Sequence, residues 1–557
     1  MPNLSSLCVR DCGNLKYVSS FATTKSCLIK LKKLDVYTCG VLEEVLAITD
    51  LEGQDDRSLK KISLPQLKSL MLYDLPYLKR FCKNPHELKM LETNSMSTEI
   101  TVDRAEPEEM KFSANESLFN EMLEFPGLEI LDLYGLNAVE SVWQLQTTCY
   151  MVNLTSLNVG NCNSLKYLFS LAMAESLVKL KNLLVENCEV MEDIVVTEKL
   201  GEERRSGNKI LFPQLESLML SKLSSLRMFC NEEVILPKLE SLSTDWSEAI
   251  AEMLGTNQSS STLSLCHRQL KELKLNFSHQ DKPFALSICK LLQRCHNFEK
   301  LQLNGFLVNV ICKDRQNEVG AAAQQYDGRL ITRLRELRLD NVPKLRHLFG
   351  EPENDHPVGG ALQPVKTLFV SISKNLTILE VSFCHRLTYL LASSTATSLV
   401  QLKQMRVTDC NRMTEIITYY REGEITEGEH DREFVFPQLE ILVLRHLPNL
   451  GSFFSGNNVM RFPKLEKLFV SQCPEMRTFS HGIVISSSML NAIITEIDYD
   501  LNDANAVREH WDGDVNTTVR QLWEDDSNLA LQQLLANTDA HYSGEGTSGE
   551  GTSVTGC

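Results

Sequence analysis

No run of eighteen or more apolar residues occurs in the 557-residue sequence, and its opening, MPNLSSLCVR, has no apolar core of a secretory leader. The chain is therefore expected in the cytoplasm, without membrane insertion. No Cys-x-x-Cys pair offers a zinc site, and Cys8 with Cys12, or Cys289 with Cys295 and His296, stand too isolated to make one. A Gly-x-x-x-x-Gly-Lys-Ser/Thr phosphate loop, Gly-x-Ser-x-Gly, His-Glu-x-x-His and a Gly-x-Gly-x-x-Gly following a strand are all missing. No catalytic residues, cofactor or metal are expected. Positive charge is also short: 56 Lys and Arg against 73 Asp and Glu leave −17, which argues against a nucleic-acid partner. Twelve of those acids and two arginines, Arg508 and Arg520, lie from Asp498 onward, so residues 1–497 carry only −7.

What the sequence does have is one rule, repeated. Asn153 to Cys188 states it twice, as Leu154-Leu157-Val159-Cys162 and Leu180-Leu183-Val185-Cys188, with a period of 26 residues. Leu157 and Val159 alternate with Ser156, Asn158 and Gly160, so a short strand turns two apolar side chains inward and its polar neighbours outward. Cys162 sits where the chain leaves that strand. A unit this small cannot bury its own apolar face and must stack on copies of itself. The spacing fits the leucine-rich repeat, L-x-x-L-x-L-x-x-N/C-x-L at roughly 20–29 residues.

Copies run along most of the chain, at Leu4, Leu31, Leu67, Leu128, Leu154, Leu180, Leu215, Leu239, Leu270, Phe298, Leu334, Leu376, Leu402, Leu439 and Leu465, with a poor one at Leu88. Seven of the 17 cysteines (Cys12, Cys39, Cys162, Cys188, Cys384, Cys410, Cys473) fall on the turn position, which reads as reduced structural thiols and not as a disulfide framework. Three of seven Asn-x-Ser/Thr sequons, at Asn3, Asn153 and Asn375, share one repeat position and read as register, not glycosylation. A larger period is visible too. Residues 153–229 align with 375–454, and 3–82 follow the same plan of two Cys-type repeats, a charged loop and a lead-in such as Phe212-Pro213-Gln214-Leu215 or Phe436-Pro437-Gln438-Leu439.

The expected fold is an α/β solenoid: a horseshoe over residues 1–485, with a parallel β-sheet on the concave side, one strand per repeat, and an irregular convex side. Irregular loops are expected near 49–63, 93–125, 197–210, 350–365 and 418–434, the charged ones being the first sites of proteolysis. Residues 486–530 read as a cap-like segment with Trp511 and Trp523. Residues 531–557, with the tandem Gly-Glu-Gly-Thr-Ser, read as a disordered tail. No N-terminal cap precedes the first repeat, from which an upstream continuation is expected.

Function is expected on the outward strand positions. Tyr37, Tyr73 and Tyr134 recur there, flanked by Met71, and tyrosine brings contact area and a hydrogen bond at little entropic cost. Farther along, the same face carries Lys274, Lys300, Arg338, Asp340, Glu380, Arg406, Arg445 and Lys467, a mixed-charge surface suited to an electrostatically selective contact. By face position alone, Leu157→Asp is expected to damage the array and Asn158→Asp to be neutral within about half a kcal/mol.

The Leu-x-x-Leu-x-Val-x-x-Cys-x-x-Leu units, the Phe-Pro-x-Leu-Glu-x-Leu lead-ins and the acidic loops between them resemble the C-terminal leucine-rich repeats of plant nucleotide-binding disease resistance proteins, the coiled-coil class most closely. The segment His510-Trp511-Asp512-Gly513-Asp514-Val515-Asn516-Thr517-Thr518 adds to the likeness. That resemblance implies a non-enzymatic recognition region in plant defense. Its implied partners are proteins: a pathogen effector, a guarded host protein, or a nucleotide-binding switch module held inactive. The switch and its phosphate loop are not in this sequence, so only recognition carries over. A substrate-recognition subunit of a ubiquitin ligase and a generic interaction scaffold remain as alternatives.

Overall fold

The computed structural model describes residues 4–20, 24, 28–47, 61–83, 117–144, 151–196, 209–230, 234–245, 269–277, 298–305, 333–346, 348, 374–418, 433–495 and 508–522. The repeat at Leu88, Phe306, Trp523, most of the expected loops and the whole of 531–557 lie outside them. The chain divides into two compact units, Met1–Asn304 and Gly305–Cys557.

In the first unit, five-residue strands follow one another in chain order: Ser6–Arg10, Lys33–Tyr37, Ser69–Tyr73, Ile130–Tyr134, Ser156–Gly160, Asn182–Glu186, Ser217–Ser221, Ser241–Asp245, Glu272–Asn276 and Lys300–Asn304. Each pairs with the next in parallel, at the same repeat position, so that Leu34 stands opposite Leu70, Leu70 opposite Leu131 and Leu131 opposite Leu157. The second unit repeats the arrangement with Glu336–Asp340, Ile378–Ser382, Gln404–Thr408, Ile441–Arg445 and Lys467–Ser471. Register is pinned because a slip of one residue would turn every inward leucine to water. Inward residues are sealed: Leu157, Val159, Leu379 and Val381 are all 0% exposed. In the first strand Leu7 and Val9 are only half-buried; among the described residues that strand pairs on one side alone.

Most of these strands end in a left-handed residue. Asp11, Thr38, Asp74, Asn161, Asn187, Lys222, Asn341, Phe383, Asp409, His446 and Gln472 have φ of 50–56°, and Gly135 and Gly305 take the equivalent place. Asn, Asp and Gly suit this conformation; Phe383 and the other bulky residues do not. The cysteine follows directly. All seven turn-position thiols donate to the carbonyl two residues back, at 3.2–3.4 Å, from Cys12 to Arg10 O through Cys473 to Ser471 O. They are free, and burial pushes the Cys473 thiol up to about 12, which keeps it protonated as a donor.

The connecting side carries more order than one strand per repeat allows. Short parallel strands pair there as well, including Tyr167–Ser170, Asp193–Val196 and Met228–Cys230 in the first unit and Tyr389–Ala392, Glu415–Thr418 and Ser452–Phe454 in the second. Four expected loops end in such strands, at Ile62–Ser63, Leu123–Glu124, Lys209–Ile210 and Phe434–Val435. Helices are brief: Leu171–Ser176, capped by Ser170 Oγ, and its duplicate Ser393–Ala396, which lacks a side-chain cap. The Phe of each Phe-Pro lead-in is a core residue, with Phe436 and Phe462 stacked 5.4 Å apart.

At the end of the second unit, Glu509–His510 runs antiparallel to Ile493–Ile494. A helix over 515–522 follows, its first turn held by Asp514, which accepts from Thr517 N and Oγ1 at 2.9 and 2.6 Å. Asn516 then ties this segment to the last repeat, accepting from Ser480 N and Thr478 Oγ1 and donating to Gly482 O.

Candidate functional site: the outward face of the parallel strands

Every five-residue strand presents three outward positions, and the parallel register lines them up into three rows across each sheet. In the first unit the last row reads Arg10, Tyr37, Tyr73, Tyr134, Gly160, Glu186. Its side chains form one stack. The Arg10 guanidinium carbon lies 4.8 Å over the Tyr37 ring, Tyr37 and Tyr73 are 5.3 Å apart between centroids, and Tyr73 and Tyr134 are stacked 5.5 Å apart with their planes 19° from parallel. Offset rings and a cation at these separations attract one another beyond the area they cover. The stack ends on Gly160, where a Cβ would stand 2.4 Å from Cε2 of Tyr134, so the ring needs glycine beneath it.

The middle row sets what lies beside the rings. It runs Cys8, Asp35, Met71, Asp132, Asn158. Met71 accepts a 3.4 Å hydrogen bond from the Tyr37 hydroxyl. The two aspartates flanking it, Asp35 and Asp132, are only 6% and 7% exposed although they face outward, because the long neighbours cover them. Asp35 is paired with Lys33 through Oδ2 at 2.8 Å, while its buried Oδ1 has no partner among the described residues. Asp132 accepts from Asn158 Nδ2 at 2.6 Å. Burial raises the Asp132 carboxyl above the usual range, with Asn158 opposing and Asp35 reinforcing the shift. Burial likewise raises the hydroxyls of Tyr37 and Tyr73, helped by Asp35 and Asp132 respectively.

Tyr37, Met71, Tyr73 and Tyr134 are therefore brought together as one patch. Arg10, Asp35, Asp132 and Gly160 complete it, and the sequence reading did not single them out. Their signal was weak but present: Asp occupies the same place in KLDVY and ILDLY, between two inward apolar residues. The expectation for Asn158→Asp needs correction on the same ground. Asn158 faces outward as read, but its amide donates to a buried carboxylate, so a second carboxylate there is not neutral.

The charged candidates are arranged differently. In the second unit Glu380 is shared by Arg338 at 3.3 Å and Arg406 at 3.7 Å, takes a further bond from Gln404, and Arg338 also reaches Glu336 at 3.6 Å. Asp340 accepts from Ser382 Oγ at 2.7 Å. Arg445 lies half-buried in the last row between Thr408 and Ser471, and Lys467 is exposed in the first row beside Ile441. Past Arg406 the middle row turns apolar, with Val443 at 3% exposure and Phe469 half-buried. In the first unit Lys300 pairs with Glu272 at 2.7 Å, and Lys274 stands between Ser243 and Gln302.

Stacked five-residue parallel strands, a left-handed exit and a cysteine-lined turn in register define a leucine-rich-repeat solenoid. Among the described residues no group of three His, Cys, Asp or Glu is placed to hold a metal, and no helix is long and apolar enough to cross a membrane. The chain belongs to the family of plant disease resistance protein RPS2-like leucine-rich repeats, which it matches over residues 1–98, 86–189, 247–411 and 362–490. It is also similar to the Arabidopsis thaliana protein named Probable disease resistance protein At4g27220, with 32% identity over 129 residues; the match spans 23% of this chain and 14% of that relative. Among solved structures it is similar to the plant peptide hormone receptor RGFR1 in complex with RGF2, at 12% identity over 85% of this chain and 80% of that one, with a TM-score of 0.19. The leucine-rich-repeat ectodomain of the Arabidopsis receptor kinase HAESA, in complex with an IDA peptide hormone, gives 11% identity over 86% and 85%, with a TM-score of 0.21. Superpositions this loose add nothing to the fold, which stands on the strand register and the family.

Proposed function

We propose that this chain is a non-enzymatic, cytoplasmic protein-recognition solenoid, the effector-sensing or autoinhibitory leucine-rich-repeat part of a plant disease resistance protein, and that it binds through the outward face of its parallel strands. The observation that carries this reading is the Arg10–Tyr37–Tyr73–Tyr134 stack, which spans four adjacent strands and leaves all three rings partly open to water. A contiguous aromatic row held rigid by stacking has little side-chain entropy left to lose on binding. Beside it, Asp35 and Asp132 lie under their neighbours, so the open part of the patch is the three rings and Arg10. The family of the chain supports the disease-resistance context.

The test is binding of the chain to a candidate effector or to a nucleotide-binding module from a disease resistance protein. Tyr37, Tyr73 and Tyr134 changed together to Ala should weaken binding by several kcal/mol, on the order of 2 each. Reversing Arg338, Arg406 and Arg445 together should act mainly on association rate and salt dependence. Parent-like binding by both folded variants would refute the reading.

A further inference from the structure

The described turns after the main strands carry a second pair of largely solvent-facing rows, one residue before and one residue after an apolar anchor. In the seven described turns of the first unit the row after the anchor alternates in sign: Lys16, Glu43, Lys79, Glu140, Lys166, Glu192, Arg227. The last two form an ion pair at 3.2 Å. The row before it in the same described turns holds no charge, being Asn14, Val41, Tyr77, Ala138, Ser164, Val190 and Ser225. Alternation of this kind relieves repulsion between neighbours that stand one strand spacing apart.

The second unit breaks the pattern. Its first three turns place Lys344 and Arg346, then Arg386 and Thr388, then Arg412 and Thr414 at these positions, with no acid in either row until Glu475. All four cations are exposed, and none of them makes an ion pair with an acid among the described residues. Neighbouring acids are engaged elsewhere: Glu415 accepts from Ser455 Oγ at 2.5 Å, and Asp409 pairs with His446 at 2.7 Å. Arg346, Arg386, Thr388 and Arg412 line an open pocket of about 430 Å³.

We propose that this cluster is a binding site for a small anion bearing several phosphate groups. Like charges stacked on adjacent strands cost stability, and a chain of net charge −17 had carboxylates to spare for them. Arginine presents a planar fork of donors matched to phosphate oxygens. Three adjacent strands span roughly 10 Å at about 4.8 Å each. One phosphate cannot bridge that distance, whereas linked phosphates on one small molecule can. The site is independent of the tyrosine face, and it belongs to turns, not to the outward rows.

The probe is inorganic tripolyphosphate, titrated into the full chain by calorimetry at physiological salt, with orthophosphate for comparison. Tripolyphosphate should bind saturably and at least about tenfold more tightly than orthophosphate. Arg386→Gln with Arg412→Gln should weaken it by about tenfold or more, as expected when charge-assisted hydrogen bonds are lost. Both residues are exposed, so the variant should keep the parent melting temperature. The control, Lys79→Gln with Lys166→Gln in the alternating row, should change binding less than about twofold. Absence of saturable binding, an equal loss in the control, or tighter binding of an acidic peptide such as Glu422–Asp431 than of tripolyphosphate would each overturn the proposal.

Discussion

The outward rows of residues 6–160 and 336–471 stand on strands of the same length and register, yet they treat polar side chains in opposite ways. In the first stretch, charge is pressed under cover: Asp35 and Asp132 are buried beside a stack of rings, and one carboxylate oxygen is left without a partner. In the second, charge stands open and satisfies itself, with Glu380 held between Arg338 and Arg406. The difference shows that a repeat dictates where a side chain stands and leaves open what that side chain has left to offer. A self-neutralised row has little to give a partner, whereas rigid rings still partly open to water are a surface that binding would cover.

Both stretches share the inward line, so the largest effect should be common to them. Leu157→Asp and Leu379→Asp each place a carboxylate at a fully buried position and should unfold their repeats, at a cost of at least about 4 kcal/mol by chemical denaturation. A severe effect in one unit and a mild one in the other would break the comparison at its base.

Asn158→Asp comes next. It replaces the donor to Asp132 with a second acceptor, and should cost about 1–3 kcal/mol at neutral pH, with partial recovery in acid as the two carboxyls share a proton. Asp132 itself gives a pH signature. Its folded carboxyl is raised above the unfolded value, so the folded chain holds a proton that the unfolded chain has released. Stability therefore falls as pH rises from the ordinary carboxylate value to the raised one. Asp132→Asn should remove that segment of the pH–stability curve, measured by denaturant midpoints across the acidic range.

The inward leucines and the seven turn cysteines were legible because they obey a spacing within one repeat. Each thiol stands where the sequence put it, two residues after the carbonyl it bonds. The stack of Tyr37, Tyr73 and Tyr134 was legible as a recurrence, though not the burial of Asp35 and Asp132, which depends on neighbours brought alongside by the fold. Asp132 and Met71 are opposite each other but 61 residues apart in sequence. Arg338 and Glu380 likewise meet across a long connection, so a row read as available charge proves largely paired. The short strands on the connecting side have two to four residues, too few to show a period of their own.

Smaller effects belong to the second stretch. Phe383→Asn replaces a bulky residue at φ 53° with one that tolerates the left-handed region, and should raise stability by about 1 kcal/mol in a thermal or denaturant melt. Glu380→Gln should cost less still, at most about 1 kcal/mol, because its two arginines are partly solvated. A large loss there would mean that the ion network holds the second sheet together, and the contrast between the two stretches would fail.

The central claim is that the tyrosine stack recognises a protein partner. Gly160→Ala tests it most directly, because the added methyl group meets the Tyr134 ring before anything else on that face and leaves every proposed contact residue in the sequence. Once a partner binds the parent chain, its dissociation constant for the folded Gly160→Ala variant should rise on the order of tenfold, or about 1.4 kcal/mol, as the ring is pushed out of the stack. An unchanged dissociation constant, with the ring shown to be displaced, would contradict the account.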